Sequence, residues 1–306
     1  MGKIILVSGF LGAGKTTFIR RLLKCTAPGQ KTALLENEFG TCSVDDILLQ
    51  RRDLPVSTLA SGCICCSLSG AFDQAIRTLE HSYHPDLLVI EPSGLAELSV
   101  LLNTCRSVSD ELGIAQVRAI TIVDAEMHQT YVEDMGMFYL DQIRHADAII
   151  CSKLDLVSPQ TAGAVYTSLL EENPDAHIWA CPWDALDVSS VLEQVSGEGT
   201  SCVPVSGHGH VHTAELFTSE VFHPYRPRTA AQWEEELMKL SDPARGQILR
   251  AKGFLPLEDG AWIQADYTPG HVYLHPWGAP CESILTVIGR NMNRSALSEQ
   301  FEKIES

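Results

Sequence analysis

"KIILVSGFLGAGKTTFIRRLL", residues 3–23, joins three patterns without a break. Residues 3–8 are an apolar, β-branched run of the kind a fully covered strand needs. "GFLGAGKT", residues 9–16, matches G-x-x-x-x-G-K-[ST], and the "TTFIRRLLK" that follows has helical spacing. Strand, glycine loop and helix in that order are the setting in which this pattern acts. Gly9, Gly12 and Gly14 let backbone N–H groups close around phosphate with no Cβ in the way. Lys15 reaches the β- and γ-phosphates, and the Thr16 hydroxyl is placed to ligate Mg2+. The helix that starts here adds the positive end of its dipole.

Further strands follow in the same style. In "KTALLENEFG" (31–40), "TALL" reads as a short strand that delivers "ENEFG" to a loop. There Glu36, Asn37 and Glu38 face Mg2+, another metal or the γ-phosphate, or else form a solvated acidic turn. "HPDLLVIEPSG" (84–94) contains a continuous apolar strand that ends in Glu91. An acid at the carboxyl end of such a strand reaches the crevice where α/β proteins bind ligands. Glu91 is suited to holding Mg2+ through water or to orienting an attacking water, and Ser93 and Gly94 to sensing the γ-phosphate. "VRAITIVDA" (117–125) and "DAIICSKLD" (147–155) are two more apolar strands. The second runs into Ser152-Lys153-Leu154-Asp155, where a guanine-reading loop usually has Asn-Lys-x-Asp. Asp155 would accept from guanine N1 and N2 and the Lys153 stem would pack on the base, with Ser152 in place of the Asn. The competing reading is a helix start capped by Ser152.

The chain has 306 residues, is 45% hydrophobic and 20% charged, and carries a net charge of −17. That charge excludes nucleic acid and anionic membranes as partners, since phosphate neutralisation needs Lys and Arg in excess. The first residues, "MGKIILVSGF", lack a signal peptide's apolar region and cleavage site, and no apolar run reaches membrane-spanning length. The expectation is a cytoplasmic protein with reduced thiols. Cys25, Cys42, Cys105, Cys151, Cys181, Cys202 and Cys281 stand singly and are expected as small buried hydrophobes. "SGCICC" (61–66) differs, with Cys63, Cys65 and Cys66 in four positions ahead of a predicted helix. A helix start lowers thiol pKa and favours thiolates, which suit Zn2+ or other borderline to soft ions. Three thiolates are one short of a closed tetrahedral site. The fourth ligand is left to "ENEFG", a histidine or an acceptor protein, and a redox pair or inert core filler are the alternatives.

Alternating strands and helices from residue 3 to about 190 predict an α/β fold with a doubly wound, mostly parallel sheet. The domains expected are 1–195, a Gly/Ser/His-rich linker at 196–214, and a smaller α+β domain at 215–306. The linker carries "HGHVH", whose His208, His210 and His212 share one side of an extended segment, a second candidate metal contact. In the last region "ELFTSEVFHPY", "GAWIQADY", "GHVYLHPWG" and "SILTVIGR" read as strands, with helices at "AAQWEEELMKL" and "SALSEQFEKI". Trp233, Leu237 and Leu240 form a core-facing stripe, and His271, His275 and Trp277 are expected in the core.

Together "GFLGAGKTT" (9–17), "ENEFG" (36–40), "GCICC" (62–66), "EPSG" (91–94) and "SKLD" (152–155) resemble, in order, the CobW family of P-loop GTPases, relatives of the nickel-insertion GTPases of urease and hydrogenase. "ILRAKGF" (248–254) and "VIGR" (287–290) are similar to the family's second domain. The resemblance implies a P-loop NTPase fold and a slow GTPase that delivers a transition metal to a client metalloprotein. It implies that Gly12, Ala13, Gly14, Lys15, Thr16 and Thr17 hold phosphate and Mg2+. It makes Cys63, Cys65 and Cys66 the ligands of Zn2+, Co2+ or Ni2+, with Glu36 beside them. The catalytic set is then Lys15, Glu91 and Glu38. The rival is a GTP-gated module that reactivates a cofactor-dependent enzyme and keeps its cysteines as structure. Self-association is left open, and a small-molecule kinase lacks the basic substrate pocket it would need.

Overall fold

The computed structural model describes residues 2–27, 29–39, 56–61, 68–196, 218–278 and 282–302, and its contacts divide the chain into two compact units. The first is built on β1 (Lys3–Gly9), β2 (Thr32–Phe39), β3 (Val56–Ser61), β4 (Leu87–Glu91), β5 (Gln116–Asp124), β6 (Ala148–Ser152) and β7 (His177–Trp179). They form one sheet in the order β3-β2-β4-β1-β5-β6-β7. The six strands from β2 to β7 in that order are parallel. β1 lies between β4 and β5, with Lys3 opposite Leu87 on one side and Gln116 on the other. Ile4, Ile5, Leu6 and Val7 are buried, as expected of a strand covered on both faces.

The helices are α1 (Lys15–Cys25), α2 (Leu68–Tyr83), α3 (Leu98–Leu112), α4 (His128–Met135), α5 (Met137–Arg144), α6 (Pro159–Glu172) and α7 (Val188–Ser196). α1 packs with α7, while α2 packs with α3, α3 with α5, and α5 with α6. These two helix groups make the sheet doubly wound. Local chemistry sets the helix ends. Ser158 caps α6 by accepting from Thr161 N at 3.1 Å, with Pro159 in the first turn. Gly113 ends α3 in the left-handed conformation.

The second unit is an antiparallel sheet of β8 (Thr218–Phe222), β9 (Gln247–Pro256), β10 (Trp262–Thr268), β11 (His271–Trp277) and β12 (Ile284–Arg290), in the order β11-β10-β9-β12-β8. Helices α8 (Ala230–Met238) and α9 (Arg294–Phe301) supply Trp233, Leu237, Leu297 and Phe301 to a core shared with Phe222, Leu255, Tyr267 and Leu285. Trp233 buries its ring and donates Nε1–H to Pro256 O at 2.9 Å, and Thr229 and Gln232 form a capping box at the start of α8.

The structure corrects several expectations. β2 continues through Phe39, so Glu36, Asn37 and Glu38 lie in a strand and not in a loop. β4 runs beside β2 as far as Glu91 opposite Glu36, so ladder pairing carries the strand past "TALL" to the first of these residues. β9, which the strand reading passed over, is the centre of the second sheet. His275 is exposed on the edge strand β11, and His271 stacks on Tyr273 at 6.2 Å. Trp277 alone of that trio packs against a buried ring, Phe254, at 4.8 Å. Cys105 and Cys151 are buried as expected, Cys181 is half-buried, and Cys25 is exposed at the end of α1. Cys42, Cys202 and Cys281 lie outside the described residues.

Candidate functional site

The parallel strands β1, β2, β4, β5 and β6 end on one edge of the sheet, and that edge collects most of the described residues singled out above. Gly9, Gly12 and Gly14 have φ of 138°, 74° and 106°, a region that side chains disfavour. A Cβ on Gly9 would also meet Ile122 O at 2.4 Å. α1 begins at Gly14 with no side-chain cap, which leaves first-turn N–H groups facing the loop. Lys15 is 5% exposed and folds back over the loop to donate to Gly9 O at 3.0 Å. Thr17 is exposed one position beyond Thr16. Phe10 roots the loop in the core, with its ring 4.5 Å from that of Tyr131 and 5.7 Å from that of Tyr139.

Thr16 Oγ1 donates to the Glu91 carboxylate at 3.0 Å. Glu36, buried, is opposite Glu91 in register on the neighbouring strand. The "EPSG" turn presses on the glycine loop, since a Cβ on Gly94 would sit 2.8 Å from Leu11 N. Ser93 is buried and its Oγ accepts from Leu95 N at 3.3 Å. Gln142, fully buried on α5, fixes the turn from below, with Nε2 3.0 Å from both Gly94 O and Ala96 O.

At the other end of the edge, Ser152 is not a helix cap. It is the last residue of β6, and its Oγ lies 2.7 Å from Ala13 O and 3.1 Å from Val123 O, so it ties the glycine loop to β5 and β6. Lys153 follows in the left-handed region, φ 55°. Its Nζ pairs at 2.7 Å with Asp124 Oδ2, on a carboxylate whose other oxygen accepts from Glu126 N at 3.0 Å. Asp155 is exposed in the short 3-10 turn Leu154–Leu156. Phe10, Asp124 and Gln142 are contributors that motif reading missed. For Asp124 a signal was present, an acid ending a buried apolar strand, the same one that picked out Glu91.

Beneath the loop, His128 hydrogen-bonds Tyr139 OH at 3.0 Å and Ser168 Oγ at 2.9 Å. Burial holds the His128 pKa below its ordinary value and pushes the Tyr139 phenol well above its own. Both are neutral supports of the loop. Cys63, Cys65, Cys66, His208, His210 and His212 lie outside the described residues, as does the Glu38 side chain, although its backbone belongs to β2. Among the described residues no group of three or more His, Cys, Asp or Glu side chains is gathered to hold a metal. Among them also, no helix is long and apolar enough to cross a membrane.

A glycine loop between the first strand and first helix of a doubly wound sheet, with a lysine over it and a threonine–carboxylate pair at its mouth, defines a P-loop nucleotide-binding protein. Residues 3–179 match the family model described as CobW/HypB/UreG, nucleotide-binding domain, and residues 216–305 match the cobalamin synthesis protein cobW C-terminal domain. The chain belongs to the CobW/HypB/UreG family. It is 36% identical to the zinc chaperone YjiA of Escherichia coli over 165 residues, which cover 50% of this chain and 49% of that protein. It is 24% identical to the zinc-regulated GTPase metalloprotein activator 1 of Schizosaccharomyces pombe over 312 residues, covering 85% of this chain and 73% of the other. The chain spans about half the length of the first curated relatives it matches. The crystal structure of Zn(II)-bound YjiA GTPase from E. coli aligns with 98% of this chain and 97% of its own at 22% identity, with a TM-score of 0.48.

Proposed function

We propose that the protein is a cytoplasmic GTPase that carries a transition metal, zinc first, and hands it to a client metalloprotein. The observation that carries this is the register of β2 and β4. Glu91, hydrogen-bonded to Thr16 of the phosphate loop, lies opposite Glu36. β2 neighbours β3 in the sheet, and β3 leads into the segment that contains Cys63, Cys65 and Cys66. Nucleotide chemistry and metal binding in this reading sit on three neighbouring strands, β4, β2 and β3. The zinc chaperones and zinc-regulated GTPase activator among the relatives support the same cargo.

In this reading backbone N–H groups of residues 12–17 hold the phosphates, and Lys15 leaves Gly9 O to meet the β- and γ-oxygens. Mg2+ fits the donor set, since a hydroxyl and a carboxylate 3.0 Å apart are hard oxygen ligands. Thr16 would hold it directly and Glu91 through water, and it would neutralise charge that develops on the phosphates. Glu91, together with Glu38, orients water, while Ser93 and Gly94 face the γ-phosphate. Lys153 and Asp155 read guanine. Cys63, Cys65 and Cys66, with Glu36, bind the zinc, and His208, His210 and His212 receive or relay it. Zinc affinity that differs between the GTP and GDP states drives loading and release.

The test is a competitive zinc titration of the reduced full chain, wild type and the Cys63/Cys65/Cys66→Ser variant, each with a Mg-bound non-hydrolysable GTP analogue and with Mg-GDP. A tight site that depends on nucleotide and vanishes in the variant is expected. Zinc affinity identical in both nucleotide states, or retained without the thiols, rejects the carrier. Lys15→Ala should lower the hydrolysis rate on the order of a hundredfold or more, as removal of a transition-state cation does, with zinc binding to the GDP state preserved.

A further inference from the structure

The segment after β7, Ala180-Cys181-Pro182-Trp183-Asp184, matches no motif, yet it lies against the phosphate loop. A Cβ built on Gly14 would touch Trp183 Cζ2 at 3.3 Å, so the edge of the indole faces the last glycine of the loop. Arg21 holds the ring there in three ways. Its guanidinium carbon is 5.5 Å from the ring centroid, its Nη1 donates to Trp183 O, and its Nη2 is 3.4 Å from Asp184 Oδ1. Residues 14, 17, 18 and 21 share one face of α1, and on that face Thr17 is exposed between Gly14 and Arg21. The sheet brings the guanine-reading residues to the same place. Ile150 is opposite Trp179, so the chain leaves these neighbouring strands at the same edge, one strand leading to Lys153 and the other to Trp183. The indole is half-buried and therefore presents surface beside the loop.

We propose that Trp183 is a wall of the nucleotide site, that it packs against the nucleoside once the phosphates engage the loop, and that Arg21 is the residue that positions it. The inference rests on the reading of residues 9–16 as a nucleotide loop. A large flat ring beside a glycine helix start and a base-reading turn offers a π-face to a guanosine. Without Arg21 the ring would have to be ordered at the moment of binding.

GDP and inorganic pyrophosphate are titrated separately into the full chain, as wild type, Trp183→Ala, Trp183→Phe, Trp179→Phe, Arg21→Ala and Arg21→Lys, by calorimetry and by tryptophan emission. Pyrophosphate reads the loop without the nucleoside. GDP is expected to quench wild-type emission through contact with the base, and to quench Trp179→Phe but not Trp183→Phe. Trp183→Ala should bind GDP about tenfold more weakly, the loss of one stacked base. Trp183→Phe should stay within about threefold, Arg21→Ala should fall between the two, and Arg21→Lys should recover part of the loss. Pyrophosphate affinity should be the same in all. Wild-type GDP affinity in Trp183→Ala, quenching that survives Trp183→Phe, or equal losses for GDP and pyrophosphate would overturn the proposal. If Trp183→Ala does not fold, Trp183→Phe emission still decides the matter. Saturable pyrophosphate binding without GDP binding removes the wall alone, whereas binding of neither by wild type removes the nucleotide loop itself.

Discussion

The two sheets of this protein solve burial in opposite ways. β1 is buried along nearly its whole length, so its side chains serve packing and its chemistry waits until the chain leaves the sheet at Gly9. β10 alternates, with Ile263, Ala265 and Tyr267 in the core and Gln264 and Asp266 on the other face. There polar groups pair with each other across strands, as Arg250 and Asp266 do at 3.0 Å. A parallel sheet covered on both sides concentrates its polar work at one edge, where the ends of β1, β2, β4, β5 and β6 converge. An antiparallel sheet with one helix-covered face spreads its polar residues over a surface. The difference tells where substitutions should affect ligand and fold together, and where they should affect fold alone.

Matched glycines test that division most severely. Gly9→Ala drives a Cβ to 2.4 Å from Ile122 O, and Gly253→Ala drives one to 1.9 Å from Ile284 O. Each should cost about 4 kcal/mol or more in urea unfolding, since backbone atoms cannot yield as a side chain tip does. Only Gly9→Ala should abolish pyrophosphate binding in whatever protein remains folded. Loss of pyrophosphate binding in Gly253→Ala, while the parallel sheet's urea transition persists, would break the division. Trp233→Ala comes next, at about 3 to 5 kcal/mol for the cavity and the lost bond to Pro256 O, with GDP affinity unchanged.

Asp124→Asn sharpens the comparison from the other side. It keeps an acceptor for Glu126 N and removes the charge opposite Lys153. A stability loss of about 2 kcal/mol is expected, and with it weaker discrimination between GDP and ADP, read by competition binding. Unaltered discrimination would confine Asp124 to the fold.

The smallest effect is electrostatic. The hydrogen bond from His145 to Asp141, 3.0 Å away, raises the His145 pKa against burial and Arg106. Burial pushes Asp141 upward, but hydrogen bonds from His145 and Ser99 carry it below its ordinary value. The pair therefore contributes fully below the usual histidine value of 6.5 and loses its contribution as pH rises through the raised folded value. On the acid side the Asp141 share is present above 3.8 and fades as pH falls through its lowered value. Melting temperature followed from about pH 5 to pH 9 should show wild type losing its advantage over His145→Gln with rising pH, an effect under about 1 kcal/mol. A constant difference across the range would show that the pair does not titrate as described.

Much of this was visible in the residues. The first strand, loop and helix are local patterns, and local patterns survive translation into structure. β9 was harder to see. "QILRAKGFLP" carries Arg250, Lys252 and Gly253 in its middle, and only pairing with β10 and β12 makes it a central strand. The same holds for Glu36 near the end of β2, an acid held in the sheet by its place opposite Glu91. Gln142 acts across long sequence separations, so no spacing rule reaches it, whereas Asp124 carried the strand-end signal and only its partner Lys153 was out of view. Ser152 showed its position but not its task, because its partners Ala13 and Val123 become neighbours only through the β1-β5-β6 order.

That serine has one hydrogen and two carbonyls within reach. An asparagine at the same place would bring two amide hydrogens and serve both at once. The hydroxyl can serve only one of them at a time by rotation about a single bond, and at each instant one oxygen faces another without a proton between them. The knot between the glycine loop and the end of β6 is thus a compliant spring and not a rivet.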